Sequence, residues 1–370
     1  MILSYDRKFM QRAIELALKG KGKVNPNPVV GAVIVKDGKV IGEGYHTAYG
    51  ELHAEREAIK SAEEKGFSCQ GAEMYVTLEP CCHAGKQPPC TDAIIDAGIK
   101  RVYVGSEDPN PLVSGNGIWK LREKGISVVT NSMKKECDRL NPIFFHYITT
   151  NRPYVMYKYA MTIDGKTATK EKKSMWISSE ESRALVQEYR NEYMAIMVGI
   201  GTVLKDDPSL MCHKDGGRNP IRIICDSDLR IPFNSKIVQT SKEVKTYIAS
   251  LSENEKRNRQ KIRELKDYGI GTLLIPRGED GKINLEKLMD QLGKMHIDSV
   301  LLEGGGTLAW SMMSSGYVDE INCFMGPKVF GGEAPTPVVG DGVAEVGDAF
   351  QYKLDEVRMV GPDALITYRK

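Results

Sequence analysis

The feature that most limits what this chain can fold into is a split set of metal-ligand residues in its first third. His53-Ala-Glu55 stands upstream of Glu79-Pro-Cys-Cys-His-Ala-Gly-Lys-Gln-Pro-Pro-Cys90. One imidazole and two thiolates fill three corners of a zinc tetrahedron and leave the fourth for water, the ligand count of a catalytic site. Zinc lowers the pKa of such a water to roughly 7. Glu55, two residues from the histidine, can stand beside that water and carry its proton without binding the metal. His53, Cys81 and Cys90 are therefore the expected ligands and Glu55 the expected acid–base group. Cys82 competes with Cys81; the proline before Cys81 favours Cys81. A closed structural zinc site, or unrelated buried cysteines, is the competing reading. The fold must bring positions 53, 81 and 90 to one point, where helix N-termini would favour thiolates.

The chain has 370 residues, which suits two domains of ordinary size. Its eight cysteines include three within ten positions, and the others are scattered. Asp6, Arg7 and Lys8 interrupt any apolar leader, so a reducing, cytoplasmic setting and metal chemistry are expected rather than a disulfide framework. No apolar run approaches the ~18 residues of a membrane span. The net charge of +2 does not demand a nucleic-acid surface, and a small anionic ligand is the expected partner.

Periodicity predicts an amphipathic helix carrying Phe9, Ala13, Ile14, Leu16 and Ala17, then a strand over 29–35 and a hairpin through Lys36-Asp-Gly38 into 39–45. Helices over 54–65, 91–97 and 119–124 alternate with strands over 74–78, 102–105 and 127–130. That alternation implies an α/β layer sandwich, largely parallel beyond the hairpin. Polar residues and a proline at Thr149-Thr-Asn-Arg-Pro153 divide the chain into 1–149 and 150–370. The second part restarts with a strand over 154–158 and a helix capped by Ser178, with Glu181 completing a capping box. Strands follow over 194–198, 221–225, 244–249, 271–275, 299–302 and 320–325, and the charged stretch 253–266 reads as a solvated helix.

His-x-Glu with a later Pro-Cys and a second Cys is the signature of zinc deaminases. The longer loop between Cys81 and Cys90 sets this chain apart from the usual Pro-Cys-x-x-Cys of cytidine and tRNA-adenosine deaminases, and its balanced charge argues against RNA. Thr77 to Thr91, Asn25-Pro-Asn-Pro-Val-Val-Gly-Ala-Val33, Gly44-Tyr-His46 and Asp108-Pro-Asn-Pro-Leu-Val-Ser-Gly115 resemble the deaminase half of the bifunctional riboflavin-biosynthesis deaminase–reductase family. The resemblance spans nearly all of 1–150, with Cys82 where the family often has serine. It implies that Asn27 and His46 contact the pyrimidine, and that His83 and Lys86 lie at the substrate rim.

In the second part, Leu302-Glu-Gly-Gly-Gly-Thr-Leu-Ala309 satisfies G-x-G-x-x-A, with Asp319 and Glu320 downstream. A dinucleotide fingerprint is set aside because the turn lies late and no full strand–helix–strand repeat is expected around it. A glycine turn entering a helix still offers N–H groups to a phosphate. Lys158-Tyr-Ala-Met-Thr-Ile-Asp-Gly-Lys166, Trp176-Ile-Ser-Ser179, Val198-Gly-Ile-Gly-Thr-Val-Leu-Lys-Asp-Asp-Pro208 and Leu302-Glu-Gly-Gly-Gly306 resemble the reductase half of the same family.

The resemblance implies an α/β chain in which a cytidine-deaminase-like three-layer domain precedes a dihydrofolate-reductase-like domain. It implies zinc-dependent loss of ammonia from a pyrimidine ribosyl phosphate, then reduction of the ribosyl chain by NADPH. Trp176, Ser178, Thr202, Gly304, Gly305 and Gly306 would hold NADPH. Lys158, Ser174, Arg190, Asp206, His213 and Glu303 would serve the ribosyl phosphate, with Asp206 assisting proton movement and Lys158 polarising the substrate. His213 stands where the family usually has arginine, so phosphate affinity is expected to weaken as pH rises. The reductase fold often pairs subunits, which implies a homo-oligomer. The competing reading of the second part is a nucleotide-binding regulatory module without catalysis.

Overall fold

The structure is a computed structural model that describes residues 4–83, 87–110 and 113–370, and it separates into two compact units, Met1–Asn151 and Arg152–Lys370. The first is built on a five-stranded sheet of β1 (Gly31–Lys36), β2 (Lys39–Tyr45), β3 (Glu73–Leu78), β4 (Arg101–Ser106) and β5 (Ser127–Val129), ordered β2-β1-β3-β4-β5. Asp37 and Gly38 both adopt positive φ, 48° and 75°, as the tight turn between β1 and β2 requires. β1 is antiparallel to β2 and β3, whereas β3, β4 and β5 run parallel.

The strand period sorts the side chains into two cores. Ala32, Ile34, Met74, Val76, Val102 and Val104 pack with Ala58, Ile94 and Leu121 of the helices Ala54–Glu64, Cys90–Asp96 and Asn116–Glu123. Val33, Val35, Tyr75 and Tyr103 point the other way, onto Phe9, Met10, Ala13 and Ala17 of the helix Ser4–Leu18. Near-continuous apolar strands are the mark of a sheet covered on both faces, and the result is three layers. Gly44 lets the helix Ala54–Glu64 lie directly on β2, since a Cβ there would sit 2.3 Å from the Ala58 nitrogen. That close seating fixes the start of the helix, where His53 and Glu55 stand.

The second unit holds a nine-stranded sheet: β6 (Tyr154–Thr162), β7 (Ala195–Gly199), β8 (Ile221–Cys225), β9 (Thr246–Leu251), β10 (Gly271–Ile275), β11 (Ser299–Glu303), β12 (Glu320–Gly326), β13 (Lys353–Val360) and β14 (Asp363–Arg369). Their order is β10-β9-β8-β7-β11-β6-β12-β14-β13, parallel from β10 through β12 and antiparallel at β14 and β13. Val155, Tyr157, Met197, Ile223, Val300 and Leu302 form the main core with Leu288, Met289 and Leu292 of the helix Leu285–Lys294 and Ala309 and Met312 of Gly306–Ser314.

Several details differ from expectation. The helix Glu180–Glu192 is capped by Ser179, whose hydroxyl accepts from the Ser182 N–H, and not by Ser178. The stretch 253–266 is two helices, Asn254–Arg257 and Arg259–Asp267, broken at Asn258. The helices Lys134–Asp138 and Pro142–Thr150 and the hairpin β13–β14 are additional elements. Helices precede and follow the glycine turn at 304–306 in chain order, from β10 to β11 and from β11 to β12, but neither pair of strands is adjacent in the sheet. No helix among the described residues is long and apolar enough to cross a membrane.

Candidate functional site

Three short segments bring the sulfur and nitrogen donors of the first unit together. His53 occupies the N-cap position of the helix Ala54–Glu64 in an extended conformation and makes no capping bond with its ring. Cys90 opens the helix Cys90–Asp96 after Pro89, and Cys81 lies in the loop after β3. His53 Nδ1 is 3.6 Å from Cys81 Sγ and 3.4 Å from Cys90 Sγ, and the three donor atoms all lie within 4.8 Å of one another. Zinc with Zn–S near 2.3 Å and Zn–N near 2.1 Å sets tetrahedral S···N edges of about 3.6 Å, so the donor set fits that ion in spacing and softness. Cys82 is half-buried and does not belong to the cluster.

The surroundings favour a metal-binding thiolate. The Cys90 thiol, His53 and the Cys90 N–H hold the Cys81 thiol below its ordinary range against its burial. Glu55 is buried at the foot of the same cluster, and burial, reinforced by the Cys81 sulfur, raises its carboxyl to about 7. A carboxyl there can both accept and return a proton near neutral pH. His46 is buried too; its Nδ1 donates to the Leu52 carbonyl at 3.0 Å, which leaves Nε2 to accept from Asn27 Nδ2 at 3.2 Å. Burial lowers its pKa, so the ring is held neutral and oriented.

A cavity of about 240 Å³ opens over these groups. Asn27, His46, His53, Glu55, Cys81 and His83 line it, and Cys90 lies below the surface. Lys86 lies outside the described residues. Tyr49, Gln87, Asp108 and Asn110 also face the cavity and were not singled out from sequence. Burial raises the Asp108 carboxyl to about 6.

The second unit has a larger cavity of about 790 Å³, in the range of cofactor sites. Ser174, Thr202, Asp206 and Gly304 to Gly306 line it. Gly304 and Gly305 adopt φ of 70° and 79°, and the turn runs straight into the helix Gly306–Ser314. Such a turn presents N–H groups to a phosphate without side-chain obstruction, so the cavity suits a dinucleotide. Lys205, on the helix Ile200–Asp206 within the family-like stretch 198–208, also lines it, as do Arg230, Arg277 and Lys282, which follow β8 and β10 and carry no sequence pattern that marks them.

The other expected reductase residues lie apart from that lining. Arg190 gives its fork to Glu303, with Nη2–Oε2 2.8 Å and Nε–Oε1 3.2 Å, and its Nη1 to the Met211 carbonyl. The fork expected to serve a phosphate thus also holds Glu303. Glu303 and Lys158 face each other in the β11–β6 register, and burial lowers the Lys158 pKa. Burial raises the Glu303 carboxyl, but Arg190 and Lys158 outweigh it and hold the group at about 2. Trp176 is exposed with the Arg183 guanidinium 4.5 Å from its ring centroid. The Ser178 carbonyl accepts from Arg183, and exposed His213 donates its N–H to Gln187 Oε1.

Comparison with known proteins agrees with this division. Residues 3–106 match the family model of the cytidine and deoxycytidylate deaminase zinc-binding region, and residues 153–366 match that of the RibD C-terminal domain. The chain is 48% identical over 364 residues to riboflavin biosynthesis protein RibD of Actinobacillus pleuropneumoniae, covering 98% of this chain and 95% of that one. It is 41% identical to RibD of Aquifex aeolicus, with 100% of each chain covered. Among solved structures, a diaminohydroxyphosphoribosylaminopyrimidine deaminase/5-amino-6-(5-phosphoribosylamino)uracil reductase from Thermotoga maritima aligns with a TM-score of 0.86 at 38% identity, covering 99% of this chain and 98% of that one. Acinetobacter baumannii RibD aligns with a TM-score of 0.87 at 34% identity over 99% of both.

Proposed function

The chain belongs to the RibD family of riboflavin biosynthesis proteins, a cytidine-deaminase-like domain followed by a RibD reductase domain, and from that premise we propose the roles of its residues in two successive reactions. The enzyme is a bifunctional deaminase and reductase that uses zinc and NADPH. Its proposed substrate is 2,5-diamino-6-ribosylamino-4(3H)-pyrimidinone 5′-phosphate, which loses its 2-amino group as ammonia before the ribosyl chain is reduced to ribityl. The observation that carries the reading is the convergence of His53, Cys81 and Cys90 beside a buried Glu55.

When bound by those three residues, zinc supplies a water activated for attack at neutral pH. Glu55 would move a proton from the attacking water to the ring nitrogen as the C–O bond forms, and then the remaining hydroxyl proton to the amine, so that C=O forms as the C–N bond breaks and ammonia leaves. Asn27, held against neutral His46, orients the pyrimidine, and His83 stands at the rim. In the second unit, Thr202 and the turn Gly304 to Gly306 hold NADPH, which supplies the hydride. Trp176 and Ser178 are assigned to the same cofactor. Asp206 and Ser174 face the substrate from the cavity wall, with Asp206 moving the proton that accompanies reduction at ribose C1′. Lys158, Arg190 and Glu303 form a charged floor next to Gly304, with His213 toward the phosphate.

A single time course on purified protein with the diamino substrate and NADPH tests the sequence of events. Ammonia released first and NADPH consumed after it is the expected result. NADPH consumed without prior ammonia would overturn the order. We assign the enzyme to the cytoplasm as a homo-oligomer. Exposed Leu354, Val357 and Met359 on edge strand β13 support the pairing, and light scattering at about the 41.1 kDa of one chain would refute it.

A further inference from the structure

Glu79 follows β3 and begins the short segment that leads to Cys81, and its carboxylate sits in a ring of backbone donors. Oε1 accepts the N–H groups of Gly117 and Ile118 at 2.9 and 3.1 Å. Oε2 accepts those of Gly115 and Asp108 at 3.1 and 3.2 Å. The residue is 3% exposed. Gly115 is the N-cap of the helix Asn116–Glu123 and has no side chain to cap it, so Glu79 supplies the cap and an anion at the positive helix end. Four N–H bonds saturate the four lone-pair sites of a carboxylate. The segment so held carries Asp108, Asn110 and Val113, which wall the cavity above Glu55.

We propose that Glu79 is a positioning residue for deamination: it ties the Cys81 segment to Asp108 and to residues 115–118 and so fixes the cavity wall that Asp108 and Asn110 present to the base. The proposal rests on the deaminase reading above. It separates two things that a deletion of the motif would confuse, the holding of metal by Cys81 and the shaping of the cavity by Glu79. A carbonyl oxygen at the same place keeps acceptors for two donors and sets an NH₂ group against the other two.

The test uses the full-length, zinc-loaded chain and the variant Glu79→Gln, with four readouts. These are zinc content, amide exchange of peptides across 108–118, ammonia-release kinetics, and NADPH oxidation with the deaminated substrate. Expected are wild-type zinc and wild-type reduction, exchange at least about 10-fold faster at Gly115, Gly117 and Ile118, and a deamination kcat/KM at least about 10-fold lower, carried mainly by KM. Loss of zinc with the segment still protected would overturn the proposal, because Glu79 would then act on the metal site. Faster exchange with unchanged deamination would overturn it as well.

Gly117→Ala guards against a variant that simply fails to fold. A Cβ there would meet the Pro80 carbonyl at 2.1 Å and Glu79 Oε1 at 3.2 Å, and so disturb the same contact while the carboxylate itself is kept. It should reproduce the loosened segment and the raised KM; a loosened segment with normal KM refutes the idea. Absence of ammonia release from the wild type overturns the deaminase reading and this proposal with it. Release from the wild type that Glu79→Gln equals overturns the proposal alone.

Discussion

Replacing Glu303 by glutamine should destabilise the reductase unit by about 3 kcal/mol near neutral pH. The carboxylate lies between Arg190, which grips it at 2.8 and 3.2 Å, and Lys158 on the neighbouring strand. Its side chain and that of Arg190 are 13% and 15% exposed, so water screens the pair little. The carboxyl is held at about 2 against an ordinary 4.5. That difference converts to roughly 3 kcal/mol at about 1.36 kcal/mol per pKa unit. Breaking a buried pair by removing one partner costs about 3–5 kcal/mol, which agrees. For a unit of this size the melting temperature should fall by about 6–12 °C. The sign of the pH dependence follows from a depressed carboxylate pKa. The contribution is complete above the unfolded-state value and is lost as pH falls through 4.5 toward 2. Urea unfolding of wild type and Glu303→Gln, followed by Trp176 and Trp310 fluorescence and by NADPH oxidation, gives the difference at each pH. The gap should be flat from about pH 5 to 7 and shrink below. A gap under about 0.5 kcal/mol at pH 7, or one that widens in acid, would refute the view that Glu303 holds the two cations together.

Glu55→Gln should keep its zinc and lose ammonia release by at least about 10²-fold, measured against metal content in the same sample. Zinc retained with near-normal activity would remove Glu55 from the mechanism. Cys81→Ser should lose zinc and deamination while Cys82→Ser keeps both; the reverse outcome would exchange the ligand assignment. Gly305→Val forces a β-branched residue to φ near 79° beside Thr202, so NADPH affinity should drop by at least about 10-fold with ammonia release untouched. Unchanged NADPH binding by fluorescence titration would move the phosphate away from the turn.

What could be read from the chain before the structure divides along a physical line. Continuous apolar runs such as Ala32 to Val35 announce a sheet covered on both faces, and the structure places their side chains in two cores. His53-Ala-Glu55 is a local pattern in which residue type, spacing and the start of a helix all carry information, so its chemistry is legible from a few residues. Asn141-Pro142 is a readable helix start, yet the polar run at Thr149-Thr-Asn151 reads more strongly as a linker and hides the helix Pro142–Thr150. The edge strand β13, Lys-Leu-Asp-Glu-Val-Arg-Met-Val360, is mostly exposed, so burial leaves no apolar alternation in its sequence.

The charged floor of the reductase is illegible for a different reason. Arg190 and Glu303 are 113 residues apart, and only the strand order β7-β11-β6 brings Glu303 level with Lys158 and within reach of the helix that carries Arg190. In sequence each is a lone charge, and an arginine's fork suggests a phosphate. The fold sets that fork on a carboxylate, because a buried guanidinium and a buried carboxylate each cost several kcal/mol unless paired. The same reasoning separates Glu79 from its neighbours. It sits inside the most readable motif of the chain, but its partners are backbone N–H groups of residues 108–118, and backbone donors have no letter in the sequence. Chemistry carried by side chains in one short segment can be read directly; chemistry in which a side chain organises distant backbone needs the fold.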